Sequence, residues 1–166
     1  MLSTAQRWVR LAETTDAALL DDWLAMLRPL PVPEARARRL ALAALLAQGG
    51  QGLAVMAGTD AVQALMPATL VHDLSHAGRV AMVADWWCAE SAALPAASVA
   101  PDRSPAPPGW FACCANLLAD WCRAHGIRHL LIAPALIPDA ARTDAYQRDP
   151  SGLWRRDCMP APKALV

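Results

Sequence analysis

The chain has 166 residues, of which 55% are hydrophobic, so it is long enough to bury the core of one domain. Its 15 basic and 15 acidic side chains give a net charge of zero, which argues against nucleic acid or an anionic membrane surface as the main partner. No apolar run approaches the ~18 residues that span a bilayer, and the first residues lack the apolar segment of a signal peptide. These features predict one cytoplasmic domain over residues 1–166, with no nucleic acid and no membrane among its partners.

The five cysteines and the histidines give no sign of a metal site. The cysteines form no CxxC pair, and three of them fall in one helical pattern, which is typical of small buried side chains in a reducing compartment. His72 and His76 lie in a predicted hairpin turn, and no third ligand is near them in the sequence. We therefore predict no metal.

The first half of the chain predicts a strand, two helices and three more strands. Residues 7–13 alternate as a short strand does, whereas 14–27 and 33–48 carry apolar residues at helical spacing and are separated by prolines. Pro67 lies inside a predicted strand and therefore indicates an edge or a bulge, because proline cannot donate to a sheet. The three further strands are residues 52–58, 62–74 and 79–89.

A loop rich in proline and alanine, residues 90–108, leads into an amphipathic helix over 110–125 that ends at Gly126. One face of this helix is apolar and the other is polar, as in a helix that packs on a sheet. The predicted apolar face comprises Cys113, Cys114, Leu117, Leu118, Trp121 and Cys122, and the polar face comprises Asn116, Asp120 and Arg123.

The last quarter predicts a strand over 127–136, a short helix over 139–148 and a final strand over 152–159. A helix between the strands at 79–89 and 127–136 implies a parallel pair with a crossover in a sheet that is otherwise antiparallel. The predicted fold class is therefore mixed α/β, with one parallel pair and helices flanking the sheet.

In this order of elements the sequence resembles the GCN5-related N-acetyltransferase (GNAT) superfamily over essentially the whole chain. The first strand and helix are similar in "VRLAETTDAALLDDWLAML", and the fourth strand in "RVAMVADWWC". The main helix with the strand after it resembles "ANLLADWCRAHGIRHLLI", and the end of the fold resembles "AARTDAYQRDPSGLWRRDCM". The resemblance implies a GNAT-like sheet whose parallel strands splay apart at their ends, and acetyl-CoA or another acyl-CoA as co-substrate.

The resemblance also implies where acyl-CoA binds. Gly109 falls on the first glycine of the family's Arg/Gln-x-x-Gly-x-Gly/Ala loop, whose backbone N–H groups hold the coenzyme A pyrophosphate at a helix N-terminus. Here the six residues are "APPGWF", so Ala106 replaces the basic or amide residue and Phe111 replaces the second small one. Pro107 and Pro108 each lack an N–H donor. The cofactor-binding residues that the resemblance implies are Trp87, Cys88, Gly109, Trp110, Phe111 and Ala112.

Two catalytic residues follow from the same resemblance. Asp85 stands where many members place a carboxylate that accepts the proton of the amine, and Tyr146 where they keep a tyrosine that protonates the departing thiolate. The residues themselves leave other roles open. Asp85 could instead pair with an arginine at the end of its strand, and Tyr146 could be a core residue with a hydrogen-bonded hydroxyl.

The sequence thus supports two hypotheses of different class. The first is an acyl-CoA-dependent N-acyltransferase that transfers the acyl group directly to an amine of a small molecule or peptide. The second is a catalytically silent GNAT-like binding or regulatory module whose phosphate loop has decayed. The identity of the amine and the acyl chain stay open, and a homodimer stays open as the assembly.

Overall fold

A computed structural model of the protein describes residues 6–47, 50–89, 109–137 and 144–159. In these residues the chain forms a mixed sheet with helices on both faces. The strands are β1 (Trp8–Leu11), β2 (Gly52–Gly58), β3 (Val62–Asp73), β4 (Gly78–Val83), β5 (Trp87–Cys88), β6 (His129–Ile132), β7 (Tyr146–Arg148) and β8 (Trp154–Asp157).

The strand order confirms the predicted topology. The sheet runs β1-β2-β3-β4-β6-β8-β7, with β5 returning to pair with β3. Among the described strands β4 and β6 are the one parallel pair, and every other pair is antiparallel. A helix joins these two parallel strands, as a crossover connection requires.

Alternation along β2 divides the core into two layers. All seven residues of this strand are buried, and successive side chains point to opposite faces. Leu53 and Val55 pack with the helix that follows the 90–108 loop, whereas Ala54 and Met56 pack with the two N-terminal helices. The helices are α1 (Ala17–Leu27), which follows a short 3-10 turn at Thr14–Asp16, α2 (Val32–Leu46) and α3 (Trp110–Ala124).

Helix α3 covers one face of the sheet. The stripe of buried residues along the helix is rotated slightly from the apolar face that the sequence predicted. Cys114, Leu118 and Cys122 are fully buried as predicted, whereas Cys113, Leu117 and Trp121 are half-buried. The stripe extends to the start of the helix, because its other buried residues are Trp110, Phe111, Ala115 and Ala119. The polar face is exposed, and Gly126 takes the positive φ of 70° that a glycine after a helix end adopts.

Strand β4 does not continue straight into β5. Thr69 of β3 pairs with Met82, and Leu65 of β3 pairs with Trp87, so the β4–β5 segment holds one residue more than β3 over this stretch. Such an extra residue is a β-bulge. Pro67 lies opposite the bulge, on the side of β3 where no ladder bond has to be donated, which explains how a proline stands in an interior strand.

The parallel pair ends where the bulge begins. The last paired residues are Val83 and Ile132, and the Ala133 N–H donates to the Val83 carbonyl at 3.0 Å. From Ala84 onward the chain leaves β6 and, after the bulge, pairs again with β3, while β6 passes into a 3-10 turn at Pro134–Leu136. The two strands therefore separate at their C-terminal ends, and this confirms the predicted splay.

One predicted element is wrong in part, and two predicted segments lie outside the described residues. The predicted helix over 139–148 is wrong at its end, because Tyr146–Arg148 is strand β7 and pairs with β8. Its first part, 139–143, lies outside the described residues, as does the 90–108 loop. Cross-strand pairing overrides the helical propensity of so short a segment.

Within the described residues, no helix is long and apolar enough to cross a membrane.

Helix α3 should depend on its buried leucine far more than α2 depends on its exposed one. Leu118 is 0% exposed and Leu40 is 66% exposed. We expect Leu118→Ala to lower the free energy of unfolding by about 2–5 kcal/mol because it leaves a cavity. The matched Leu40→Ala variant should change it by about 0.5 kcal/mol or less. Urea denaturation measures both, and equal losses would contradict the packing described here.

Candidate active site

The start of α3 has three backbone N–H groups that find no acceptor within the helix. The first backbone bond within this helix runs from the Cys113 N–H to the Gly109 carbonyl, at 3.2 Å. The N–H groups of Trp110, Phe111 and Ala112 therefore have no acceptor inside the helix, and they lie at the positive end of its dipole. A Cβ added at Gly109 would meet no described atom within 4 Å, so packing does not require glycine there.

The first two side chains of α3 point away from that helix end. Phe111 is buried, with its ring edge-on to Trp86 at 5.3 Å between centroids and 77° between planes. Trp110 is also buried, and the guanidinium of Arg7 lies 3.9 Å from the centre of its ring. The phenyl ring therefore belongs to the core, and a cation from the N-terminal segment stands at the first residue of the helix.

The pairing of the parallel strands β4 and β6 ends at one row of residues that face each other across the sheet. Val83 of β4 pairs with Ile132 of β6, which pairs with Trp154 of β8, which pairs with Arg148 of β7. Beyond this row β4 and β6 no longer pair, so the row marks where the splay between the two parallel strands begins. The start of α3 lies at the same end of the sheet, because Phe111 contacts Trp86 just past the row.

The predicted residues of the β4–β5 segment follow this row. Asp85 is exposed in the bulged stretch between the two strands. Trp87 and Cys88 are half-buried in β5 and face opposite sides of the sheet. Trp87 packs against the core under α1 and α2, with the Arg28 guanidinium 5.1 Å from its ring centre, and Cys88 packs against the core under α3.

Tyr146 sits deeper than the other predicted residues. It begins β7, is 9% exposed and belongs to the core under α3. Its partner on β8 is Arg156, whose guanidinium lies 5.8 Å from the centre of the tyrosine ring. Arg156 also pairs with Leu130 of β6, two residues before the last residue of β6 that pairs with β4. Asp85, Trp87 and Cys88 thus follow the last row in which β4 and β6 pair, and Tyr146 lies in the core under α3.

A polar cavity of about 410 Å³ lies between the β3–β4 hairpin and the β7–β8 turn. At its centre is His76, whose side chain is 8% exposed. Its Nε2 lies 2.9 Å from Oδ2 of Asp149, and its Nδ1 lies 3.4 Å from Oδ2 of Asp73. The lining residues are Asp73, Ser75, His76, Asp149, Pro150, Ser151 and Arg155.

Hydrogen bonds hold both cavity carboxylates in the ionised form. Oδ1 of Asp149 accepts bonds from the Ser151 hydroxyl and backbone N–H, and these, with His76, lower the pKa of Asp149 to about 2. Burial works against ionisation of Asp73, but the N–H groups of Ser75 and His76 bond to its Oδ1 and leave its pKa below the ordinary value. Both side chains are therefore negatively charged at neutral pH.

The cavity opens on the face of the sheet opposite α3. Leu130 and Ile132 point into the core under α3, so Leu131 and its partner Arg155 point to the other face. Asp149 directly follows Arg148, the β7 member of the row where the strands part. No feature of the sequence could have located this cavity, because its two acidic residues come from segments that are distant along the chain.

Within the described residues, no group of three or more His, Cys, Asp or Glu side chains is placed to hold a metal ion.

Comparison with solved structures identifies the fold. The GNAT-family N-acetyltransferase YhbS of Escherichia coli, solved in complex with CoA, matches 96% of this chain and 85% of its own, with a TM-score of 0.60 and 14% identity. An integron cassette protein from the mobile metagenome of Cole Harbour Salt Marsh matches 82% of this chain and 84% of its own, with a TM-score of 0.61 and 20% identity.

A third match is the aminoglycoside 6'-N-acetyltransferase AAC(6')-Ih of Acinetobacter baumannii, which covers 82% of this chain and 84% of its own, with a TM-score of 0.56 and 13% identity. No protein-family model and no curated protein sequence matches the chain. The chain therefore has the fold of the GNAT acetyltransferases, as its sequence pattern predicted.

The lowered pKa of Asp149 makes stability depend on acid pH. The ordinary value is 3.8 and the folded value is about 2, so the ionised carboxylate contributes its full stabilisation above pH ~4. That contribution should be lost as the pH falls from about 4 to about 2. Asp149→Asn should be less stable than the parent at pH 7, and its stability should fall less over this range.

Urea unfolding of both proteins between pH 2 and pH 7 measures this. Asp120→Asn is the matched control, since Asp120 is 60% exposed and, among the described residues, pairs with its helical neighbour Arg123 alone. A parent protein that shows the same acid dependence as Asp149→Asn would contradict the assigned hydrogen bonds.

Proposed function

We propose that the protein is an acyl-CoA-dependent N-acyltransferase that transfers the acyl group directly to an amine. The observation that carries the proposal is the start of α3, where three N–H groups without an acceptor inside the helix lie at the end of the sheet at which β4 and β6 cease to pair. Such a helix start attracts the phosphates of a ligand. The solved CoA complex of YhbS shows that a protein with this fold can bind coenzyme A.

In this proposal Gly109, Trp110, Phe111 and Ala112 hold the pyrophosphate through their backbone. Phe111 does not block it, because its ring lies in the core. Arg7 lies over the ring of Trp110, the first residue of the helix, whereas the loop sequence has Ala106 in the position of the family's basic or amide residue. The altered loop is thereby compatible with an anionic ligand.

The opening between the strands would receive the pantetheine arm and the thioester. Backbone groups that no longer pair between β4 and β6 are available to it there, and the amide groups near Trp87 and Cys88 would polarise the thioester carbonyl. Exposed Asp85 would accept the proton of the amine, directly or through water. The amine nitrogen then bonds to the carbonyl carbon, the C–S bond breaks, and Tyr146 protonates the thiolate.

Gly109 offers a test that separates ligand binding from folding. Its φ of −57° and ψ of 159° suit any residue, and no described atom would contact a new Cβ. Asn and Asp both cap helix starts, but Asp also brings a negative charge to the phosphates. We expect Gly109→Asp to bind acetyl-CoA at least ~10-fold more weakly than Gly109→Asn, with both melting at or above the parent temperature.

Calorimetric titration of acetyl-CoA, together with melting curves, measures both quantities. Equal affinities of the two Gly109 variants would show that the pyrophosphate lies elsewhere. Acetyl-CoA binding without turnover on any amine would favour a silent binding module instead.

The proposed acid and base make separate predictions. Tyr146→Phe should reduce kcat by about 10²–10⁴-fold with an almost unchanged melting temperature, since it removes only the proton donor. Asp85→Asn should displace the acidic limb of the pH–rate profile without loss of folding, because an amide cannot take the proton. If Tyr146→Phe instead keeps its rate and loses about 1 kcal/mol of stability, Tyr146 is a core residue.

A further inference from the structure

The side chains of Cys122 and Cys158 meet in the core under α3, at the end of the helix away from Gly109. Cys122 lies in the last turn of α3, and its carbonyl accepts the N–H of Ile127 at 2.8 Å. Cys158 directly follows β8, and its N–H donates to the carbonyl of Arg128 at 2.8 Å. The short link between α3 and β6 therefore holds both cysteine backbones. The transfer chemistry proposed above uses neither thiol.

Hydrogen bonds orient the two sulfur atoms. The thiol of Cys122 donates to the sulfur of Cys158. The thiol of Cys158 in turn donates to the carbonyl oxygen of Arg156, which lies 3.8 Å from the sulfur. Side chains in such contact point toward each other, as two cysteines must in order to form a disulfide.

The same contacts make the two thiols unlike in reactivity. The hydrogen bond from Cys122 lowers the pKa of Cys158, and the charge of Arg156 acts in the same direction. Burial and the Asp157 carboxylate oppose this shift without reversing it. The shared hydrogen bond, together with burial, raises the pKa of Cys122. Because the thiolate is the nucleophilic form of cysteine, Cys158 is the thiol that reacts first.

Exposure gives the same order. Cys122 is 0% exposed and Cys158 is 6% exposed. The next residue, Met159, is 40% exposed, so the chain reaches the surface one residue beyond Cys158. A small oxidant from solvent thus meets Cys158 first, and Cys122 is placed to react with the product formed there.

We propose that Cys122 and Cys158 are a site of reversible oxidation by a hydroperoxide. With hydrogen peroxide, the Cys158 thiolate bonds to one oxygen, the O–O bond breaks and hydroxide leaves, which gives a sulfenic acid. The Cys122 sulfur then bonds to the Cys158 sulfur, the S–O bond breaks, and the hydroxyl group leaves with the Cys122 proton as water. The two thiols supply the two electrons that reduce the peroxide. A small thiol reverses the reaction by exchange.

Peptide mapping of the folded full chain tests the proposal. The reduced protein is treated with hydrogen peroxide, unfolded and alkylated, and its cysteine peptides are identified by mass spectrometry. We expect a disulfide between Cys122 and Cys158 that dithiothreitol reverses, with Cys88, Cys113 and Cys114 alkylated as free thiols. This readout is independent of methionine oxidation. Alkylation of both proposed thiols, or disulfides among the other three cysteines instead, would overturn the proposal.

Single substitutions test the order of attack. Cys122→Ala should stop the reaction at the sulfenic acid of Cys158, which dimedone traps, and Cys158→Ala should leave Cys122 reduced. The matched control is Cys113→Ala, since Cys113 is half-buried on the same helix; it should form the disulfide as the parent does. Oxidation of Cys122 in Cys158→Ala at the parental rate would contradict the assigned order. If either variant fails to fold when reduced, the mapping of the parent still decides the proposal.

Melting curves test whether the disulfide fits the native structure. It would close a loop over residues 122–158 and join the end of α3 to the end of β8. We expect oxidation to raise the melting temperature of the parent and of Cys113→Ala by about 5–10 °C. Peroxide should give no such rise in Cys122→Ala or Cys158→Ala. A lower melting temperature of the oxidised parent would show that the bond distorts the fold and would overturn the proposal. Acyl-CoA enters none of these measurements, so the disulfide and the acyltransferase activity are tested separately.

Discussion

The cleft depends on a constraint on strand β4, which pairs with β6 only as far as Val83. Beyond that residue a bulge interrupts the pairing with β3, opposite a proline that cannot donate to the sheet, and β5 then resumes it. Parallel strands that stay paired would seal this end of the sheet. Because the pairing of β4 with β6 ends instead, the start of α3 lies beside the splayed strand ends, and the proposed transfer is located there.

The two faces of the sheet give the opening two different chemical environments. On the α3 face, three N–H groups without an acceptor inside the helix lie at the positive end of its dipole. On the opposite face, His76 lies between Asp73 and Asp149, with Arg155 beside them, around a polar cavity.

The sequence predicted the parts that follow from local pattern. The amphipathic spacing of α3, the apolar strands and the crossover between them were enough for the parallel pair. Pro67 indicated an edge or a bulge, and the bulge lies in the segment opposite it. Strand β7 was not predicted, since three residues carry too little periodicity and its pairing with β8 decides its conformation. The contacts of Arg7 with Trp110 and of His76 with Asp149 join distant segments, so only the folded chain reveals them.

The most direct test of the central claim is a titration of the ¹⁵N-labelled protein with acetyl-CoA, followed by amide NMR shifts. The account predicts that the largest changes fall on the amides of Trp110, Phe111 and Ala112 and on the segment from Ala84 to Cys88, with slowed hydrogen exchange at the start of α3. Changes confined to α1 and α2, or none at saturating acetyl-CoA, would contradict it.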